Sequence, residues 1–307
     1  MMATLLKTPR LLWQALPDQV RGLFRAMRPR QWPKNAAIFA AIAFDRQLTE
    51  PRAFLRVLVG FVLLCLTASA IYLINDIVDI ERDKIHPKKK FRAIASGQLS
   101  IRWATTAAVI LPIAAIGGAL FYSLPLALVL IGYLVLHIAY SYYLKNIVII
   151  DVFAIAAGFV LRVLAGVVVI TVTNFSPWLY VCAGALSLFL AVGKRRQELI
   201  LLAGNAADVR ATYKDYNMAL LDDMLRMVTT ASVLSYTFYT FEAKTLFAPN
   251  VMLLTVPFVV YGIFRYLFLI HVKGEGGAPD ELLFKDRALL LDIILWVLAV
   301  IVLIYLH

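Results

Sequence analysis

The sequence predicts an all-α fold, a polytopic membrane helix bundle of about nine transmembrane helices, and three observations predict it. Of the 307 residues, 62% are hydrophobic and only 16% are charged, against about 45–50% and 25% in soluble domains. The mean hydropathy is +0.81. The apolar residues also fall in runs of the length a bilayer requires, about 17–25 residues per helix. Runs of that length and continuity exclude a membrane barrel, whose strands are shorter and alternate.

The runs lie near 33–49, 53–76, 103–122, 124–143, 148–171, 177–194, 226–246, 249–271 and 287–306. The first carries Pro33 and Lys34 at its start. Connections are short on one side of the membrane: Tyr122 to Pro125, Thr171 to Pro177, and Glu242 to Pro249. On the other side the connections 77–102, 194–225 and 272–286 are long and charged, and the one at Lys145 is short. The organisation expected is a single transmembrane domain over 1–307, with 1–32 as a basic interfacial segment. Residues 9–27, with Leu11, Leu12, Trp13, Leu16 and Phe24, suit an amphipathic helix on the membrane surface rather than a cleavable signal.

Lys and Arg set the orientation. With alternate crossings, 25 of the 30 fall on one side, in 1–34, 82–102, Lys145, 194–226 and 265–287. The positive-inside rule makes that side the cytoplasm, which predicts a multi-pass plasma-membrane protein with its long loops inside and His307 outside. The net charge of +11 then answers anionic lipid headgroups and anionic substrates rather than nucleic acid. Cys65 and Cys182 stand in separate apolar runs, so no disulfide framework is expected. His86, His137, His271 and His307 are scattered and form no metal-ligand or triad pattern, and no P-loop or dinucleotide fingerprint is present. No internal repeat shows itself, although the long loops 77–102 and 194–225 occupy similar places in the two halves, as a pseudo-duplication would leave them.

The stretch NDIVDIERDKIHPKKKFRAIASG, Asn75 to Gly97, concentrates the chemistry. Asp76, Asp79 and Asp83 stand at i, i+3 and i+7, which on a continuous helix places three carboxylates on one face. Hard oxygen ligands suit Mg²⁺, which takes one or two carboxylates from a protein and fills its shell with water and phosphate oxygens. A phosphorylated ligand is therefore implied, with Lys84, Lys88, Lys89, Lys90 and Arg92 as counter-charges. A solvated loop obeying the positive-inside rule explains those bases but not the acids.

Elsewhere, Lys34 in RPRQWPKN sits at the depth expected for the acidic face, where interfacial anchoring is the plainer alternative. Tyr140 and Lys145 end the fourth run within YSYYLKN, in a belt where Tyr is common for any reason. Asp151 and Arg162, 11 positions apart in the fifth run, are intramembrane charges that point to function or to a buried ion pair. Lys194, Arg195 and Arg196 end the sixth run and can take phosphate, with Glu198 one turn from Lys194 to orient it. Asp208, Arg210, Tyr213, Lys214, Asp222 and Asp223 follow. Asp286 and Arg287 suit a helix start with its cap.

The pattern N-D-x-x-D-x-x-x-D at Asn75, Asp76, Asp79 and Asp83 resembles the first acidic motif of the UbiA superfamily of intramembrane prenyltransferases. The resemblance covers almost the whole chain. RPRQWPKN at 28–35, the 75–97 stretch, YSYYLKN at 140–146 with Asp151 and Arg162, and GKRRQEL at 193–199 look most like decaprenyl-phosphate phosphoribosyltransferases. The second D-x-x-x-D motif of members that use a prenyl diphosphate is missing, and Lys194-Arg195-Arg196 with Glu198 stands in its place. Ala93 stands where the subfamily commonly has Pro.

The resemblance implies Mg²⁺-dependent transfer of a 5-phosphoribosyl group from phosphoribosyl diphosphate to a polyprenyl phosphate, with release of diphosphate. Asp76, Asp79 and Asp83 would hold the metal, with Asn75 in support. Lys84, Arg92 and Lys34 would neutralise the leaving group. Lys145, Arg162, Lys194 and Arg195 would position the 5-phosphate or the lipid phosphate, with Tyr140, Asp151 and Glu198 beside them. Membrane lipids surround such a protein, and a homo-oligomer is compatible with it. Two alternatives stay open on the residues alone: a prenyltransferase moving a polyprenyl group from its diphosphate to an aromatic or other small acceptor, and a transporter lined by its intramembrane charges.

Overall fold

Residues 16–85, 89–172, 176–202, 212, 215–243, 250–275, 282 and 285–305 are described by the computed structural model, and no strand occurs among them. Helix starts follow local capping chemistry. Ser100 accepts the Trp103 amide at 3.4 Å and opens α5 (Ile101–Tyr122). Ser123 takes the Leu126 amide at 3.4 Å and turns the chain from α5 into α6 (Leu124–Tyr142). Asn217 takes the Leu220 amide at 2.8 Å and starts α9 (Met218–Glu242). Asp286 takes the Leu289 amide at 2.8 Å and starts α11 (Arg287–Tyr305), as the cap expected there. Each bond satisfies a donor that the first helical turn leaves without a partner.

The remaining elements are α1 (Asp18–Ala26), a 3₁₀ helix at Pro29–Ile38, α2 (Phe39–Phe44), α3 (Pro51–Val78), α4 (Ile80–Ile85), α7 (Ile150–Val169), α8 (Trp178–Leu202), and α10 (Val256–His271), which follows a 3₁₀ turn at Val251–Thr255. Among the described residues, seven segments are long and apolar enough to cross a membrane: α3, α5, α6, α7, α8, Val251–His271 and α11. The first expected run differs from expectation. Pro33 has no amide hydrogen to give an α-helix, and Pro29–Ile38 is 3₁₀ before the six residues of α2. The run near 226–246 is α9, whose first turns carry Asp222, Asp223 and Arg226 and lower its apolar content. Of the residues expected to form a surface helix, 18–26 are helical as α1, with Val20 and Phe24 exposed; residues 9–15 lie outside the described residues.

The chain divides into two compact units, Met1–Ala36 with Val59–Ile138, and Ala37–Leu58 with Ala139–His307. In the first, α5 buries Ala104, Ala108, Ala115 and Ala119 and exposes Ile110, Ile113 and Phe121. Small residues face the protein and large apolar ones face outward, the pattern of a helix whose surroundings are lipid. In the second, α8 packs against α7 and α9, α10 against α11, and α2 against α7. Gly166 permits the last contact, because a Cβ there would stand 2.0 Å from the Ile38 carbonyl oxygen. A core of Val152, Phe189, Tyr216, Leu221, Tyr266 and Leu289 joins the ends of α7 to α11 that carry the candidate polar residues.

Candidate functional site

An acidic cluster of candidate residues lies in the first unit. The helix carrying Asp76 does not run unbroken through the motif. It ends at Val78, Asp79 forms a turn, and α4 begins at Ile80. Backbone bonds from Asp79 to Asn75 (3.0 Å) and from Asp83 to Asp79 (2.8 Å) carry the chain across the break. Asp76 and Asp83 are buried, at 3% and 2% exposure, while Asp79 and Asn75 are half-buried. The expectation of three carboxylates on one continuous face thus becomes two buried carboxylates flanking a turn.

Both are met by arginine. Arg92 Nη1 stands 2.6 Å from Asp83 Oδ2 and 3.2 Å from Asp76 Oδ1. Arg28 donates to Asp76 Oδ1 and lies 4.9 Å from the centre of the Tyr72 ring. The loop that delivers Arg92 is held by its own backbone despite Ala93 in place of Pro. Ser96 bonds Arg92 at 2.8 Å and Leu99 bonds Ala93 at 2.8 Å. Gly97 turns the chain with φ +79°, a left-handed value that suits glycine. Ala93, Ile94 and Leu99 then bury against Leu73 and Ala104.

Trp32 Nε1 donates to Ser69 Oγ at 3.1 Å and Asn35 Nδ2 lies 3.2 Å from Cys65 Sγ, so the RPRQWPKN segment is fastened to α3. Lys34 is half-buried within it. Lys84 is exposed on α4 and takes Glu81 at 2.7 Å. Lys88 lies outside the described residues. Among those described, no three His, Cys, Asp or Glu side chains stand close enough to hold one metal ion. Two carboxylates nevertheless converge on one nitrogen of Arg92, and Mg²⁺ ordinarily takes one or two from a protein beside a phosphorylated ligand. The donor set therefore fits that ion.

A separate cluster of basic and acidic candidate residues lies in the second unit. Asp151, fully buried at the start of α7, accepts Arg195 Nε at 2.8 Å through Oδ2 and the Tyr216 hydroxyl at 2.7 Å through Oδ1. Arg195 is 3% exposed. Its Nη1 donates to Glu198 and its Nη2 to the Tyr140 hydroxyl at 3.3 Å. Lys194 Nζ is 4.0 Å from the same Glu198. The predicted Tyr140, Asp151, Lys194, Arg195 and Glu198 are thus brought together, with Arg195 at the centre between two carboxylates. Arg162, buried on α7, stands 4.7 Å from the centre of the Phe159 ring, and Lys145 is half-buried just before α7. Arg196 pairs with Asp222 at 2.6 Å. Asp208, Arg210, Tyr213 and Lys214 lie outside the described residues.

Two residues that sequence reasoning did not select take part: Arg28 and Tyr216. Arg28 shares a motif with Lys34 and could have been found there. Tyr216 is 65 positions from Asp151, and no local pattern marks that contact.

The UbiA prenyltransferase family matches this chain over residues 36–272. The chain belongs to the UbiA prenyltransferase family. Among relatives of this UbiA-family chain, a decaprenyl-phosphate phosphoribosyltransferase of Corynebacterium glutamicum is 35% identical over 291 residues, covering 92% of this chain and 87% of the relative. The enzyme of that name from Mycobacterium tuberculosis is 33% identical over 285 residues, covering 92% and 93%. A UbiA homologue from Archaeoglobus fulgidus, solved with GPP and Mg²⁺, superimposes with a TM-score of 0.70 at 16% identity, covering 91% of this chain and 98% of that one. That likeness establishes the fold. The family and the near-full-length relatives make this UbiA-family protein an integral membrane transferase.

Proposed function

We propose that this transferase moves a 5-phosphoribosyl group from phosphoribosyl diphosphate to a polyprenyl phosphate of the decaprenyl type, with Mg²⁺, releasing diphosphate. The observation that carries the reading is near-full-length similarity to decaprenyl-phosphate phosphoribosyltransferases of two organisms. Lys194, Arg195 and Glu198, standing where prenyl-diphosphate users have a second acidic motif, support it.

Asp76 and Asp83 would hold Mg²⁺, with Asp79 at the turn between them and Asn75, just before Asp76, in support. The ion, when bound, supplies positive charge to the departing diphosphate and so eases its release. Arg92, Arg28, Lys34 and Lys84 add fixed positive charge around the same group, the electrostatic term that dominates such reactions. The bond from ribose C1 to diphosphate breaks with its electron pair leaving on diphosphate. A new bond forms from C1 to an oxygen of the lipid phosphate. That oxygen is already ionised near neutral pH, so no strong general base is required. Lys145, Arg162, Lys194 and Arg195 hold the 5-phosphate or the lipid phosphate, and Asp151, Glu198 and Tyr140 fix the direction of Arg195. In this reading the loops carrying these residues face the cytoplasm of the plasma membrane.

Diphosphate release by purified protein in detergent tests this. Release is expected only with Mg²⁺, a polyprenyl phosphate and phosphoribosyl diphosphate all present, and is expected to fall at least about 100-fold in Asp79→Ala or Asp83→Ala. Release that instead needs a polyprenyl diphosphate and an aromatic acceptor would replace this reading with conventional prenyl transfer.

A further inference from the structure

Tyr216 belongs to neither motif, yet it is 4% exposed and its hydroxyl meets two groups of α7 at once. It accepts the Ile149 amide at 2.8 Å and donates to Asp151 Oδ1 at 2.7 Å. Ile149 is itself unusual. Its φ of 70° and ψ of −48°, with the Ile150 amide bonded back to the Val148 carbonyl at 2.8 Å, define a γ-turn of the rare positive-φ sense. A β-branched residue adopts that conformation only under constraint. The side chain does not supply it, since Ile149 is 43% exposed. The constraint falls on the backbone amide, whose partner is Tyr216. Two residues on, Asp151 uses its second oxygen for Arg195 Nε at 2.8 Å.

We propose that Tyr216 is a positioning residue for phosphate binding: its hydroxyl holds the Ile149 turn and the Asp151 carboxylate together and thereby aims Arg195. This rests on the functional reading given above for Arg195. The hydroxyl serves as a donor only while protonated. Burial, and then the bond to Asp151, push this phenol above its ordinary range, which keeps it in the donating form at any physiological pH. Asp151 accepts from Tyr216 through one oxygen and from Arg195 Nε through the other, and Arg195 keeps its planar fork directed at Glu198 and Tyr140. Arg195 thus has Nε, Nη1 and Nη2 each held by a residue on another helix or one turn away, and Tyr216 fixes the residue that holds its Nε.

The test is Tyr216→Phe in the full-length protein in detergent, compared with Arg195→Lys and with the double variant. Phenylalanine keeps the ring in its apolar surroundings and removes only the hydroxyl. Hydrogen exchange at the Ile149 amide, measured without substrate, is expected to rise at least about tenfold in Tyr216→Phe. In turnover, kcat/KM is expected to fall about 10- to 100-fold, mainly through the KM of whichever phosphate substrate Arg195→Lys also weakens. The double variant is expected to be no worse than Arg195→Lys alone, because both remove one coupled unit.

Unchanged exchange at Ile149 overturns the proposal, and so does a double variant whose losses multiply. Should Tyr216→Phe not fold, Asp151→Asn takes its place. It removes the charge that Tyr216 and Arg195 share, with the same non-additivity with Arg195→Lys expected and multiplying losses again overturning the link. Wild-type protein without phosphoribosyl transfer would defeat the functional reading alone, because the exchange measurement decides the Tyr216 contact without any substrate.

Discussion

Arg92 meets Asp83 and Asp76 through one nitrogen, at 2.6 and 3.2 Å, which places it where a divalent ion would have to compete for the same oxygens. Two opposite consequences follow for its removal. In Arg92→Ala the carboxylates lose a competitor, so the Mg²⁺ concentration needed for half-maximal rate is expected to fall several-fold. The same change takes positive charge away from the departing diphosphate, so kcat is expected to fall about 100-fold or more. Arg92→Lys should lie between, because lysine restores the charge without the reach or the fork of the guanidinium. Steady-state rates over a Mg²⁺ titration check both effects, and a higher Mg²⁺ requirement in Arg92→Ala would show that Arg92 assists the ion rather than displacing it. Charge at this site was legible in the sequence because acids and bases lie within one stretch, Asn75 to Arg92. The Tyr216 contact was not, since it depends on how the chain returns after α8.

Among the elements, α10 and α11 are joined near their polar ends by a bidentate pair, Arg265 Nε and Nη2 to Asp286 at 3.1 and 2.9 Å. The hydrogen bond from Arg265, together with the amide bonds Asp286 receives as a helix cap, holds its carboxyl below the usual range against the opposing push of burial. A carboxyl depressed in this way stabilises the fold above its unfolded pKa of about 3.9 and loses that contribution as pH falls through the lower folded value. The thermal unfolding midpoint in detergent is therefore expected to drop on acidification below about pH 4. In Asp286→Asn, which keeps a cap oxygen, the drop should be shallower and the protein already about 1 kcal/mol less stable at pH 7. Equal drops in the two proteins would remove Asp286 from the account. The cap itself was readable from Asp286-Arg287 before an apolar run. The break at Asp79 was not, because i, i+3, i+7 spacing is the same whether or not the helix is interrupted. The 3₁₀ form of Pro29–Ile38 was only half legible: Pro33 marks the spot but does not say what replaces the α-helix.

At the scale of the whole molecule, the seven strongly apolar helices do not by themselves agree with the distribution of charge. The basic segments 1–34 and 82–102 flank α3, and a single crossing would put them on opposite sides of the membrane. The same conflict arises between 194–226 and 265–287, which would be separated by Val251–His271 alone. Both conflicts vanish if Pro29–Phe44 and α9 also cross, giving the nine passes expected from sequence. Length permits it. At about 2.0 Å per residue for the ten 3₁₀ residues and 1.5 Å for the six of α2, the first segment reaches roughly 29 Å, close to the hydrocarbon thickness of about 30 Å. The 25 residues of α9 exceed that thickness at about 1.5 Å each. The prediction is therefore specific about sides. In a chain with Cys65→Ser and Cys182→Ala, Thr49→Cys is expected to react with a membrane-impermeant maleimide only from outside the cell. Lys90→Cys should react only from the cytoplasmic face of inverted vesicles. If seven helices alone crossed, Thr49 would share the side of Arg30 and Lys90 would lie opposite it. Labelling of Arg30→Cys in the same vesicles separates the two arrangements. Nine crossings put Arg30 and Lys90 together and Thr49 apart.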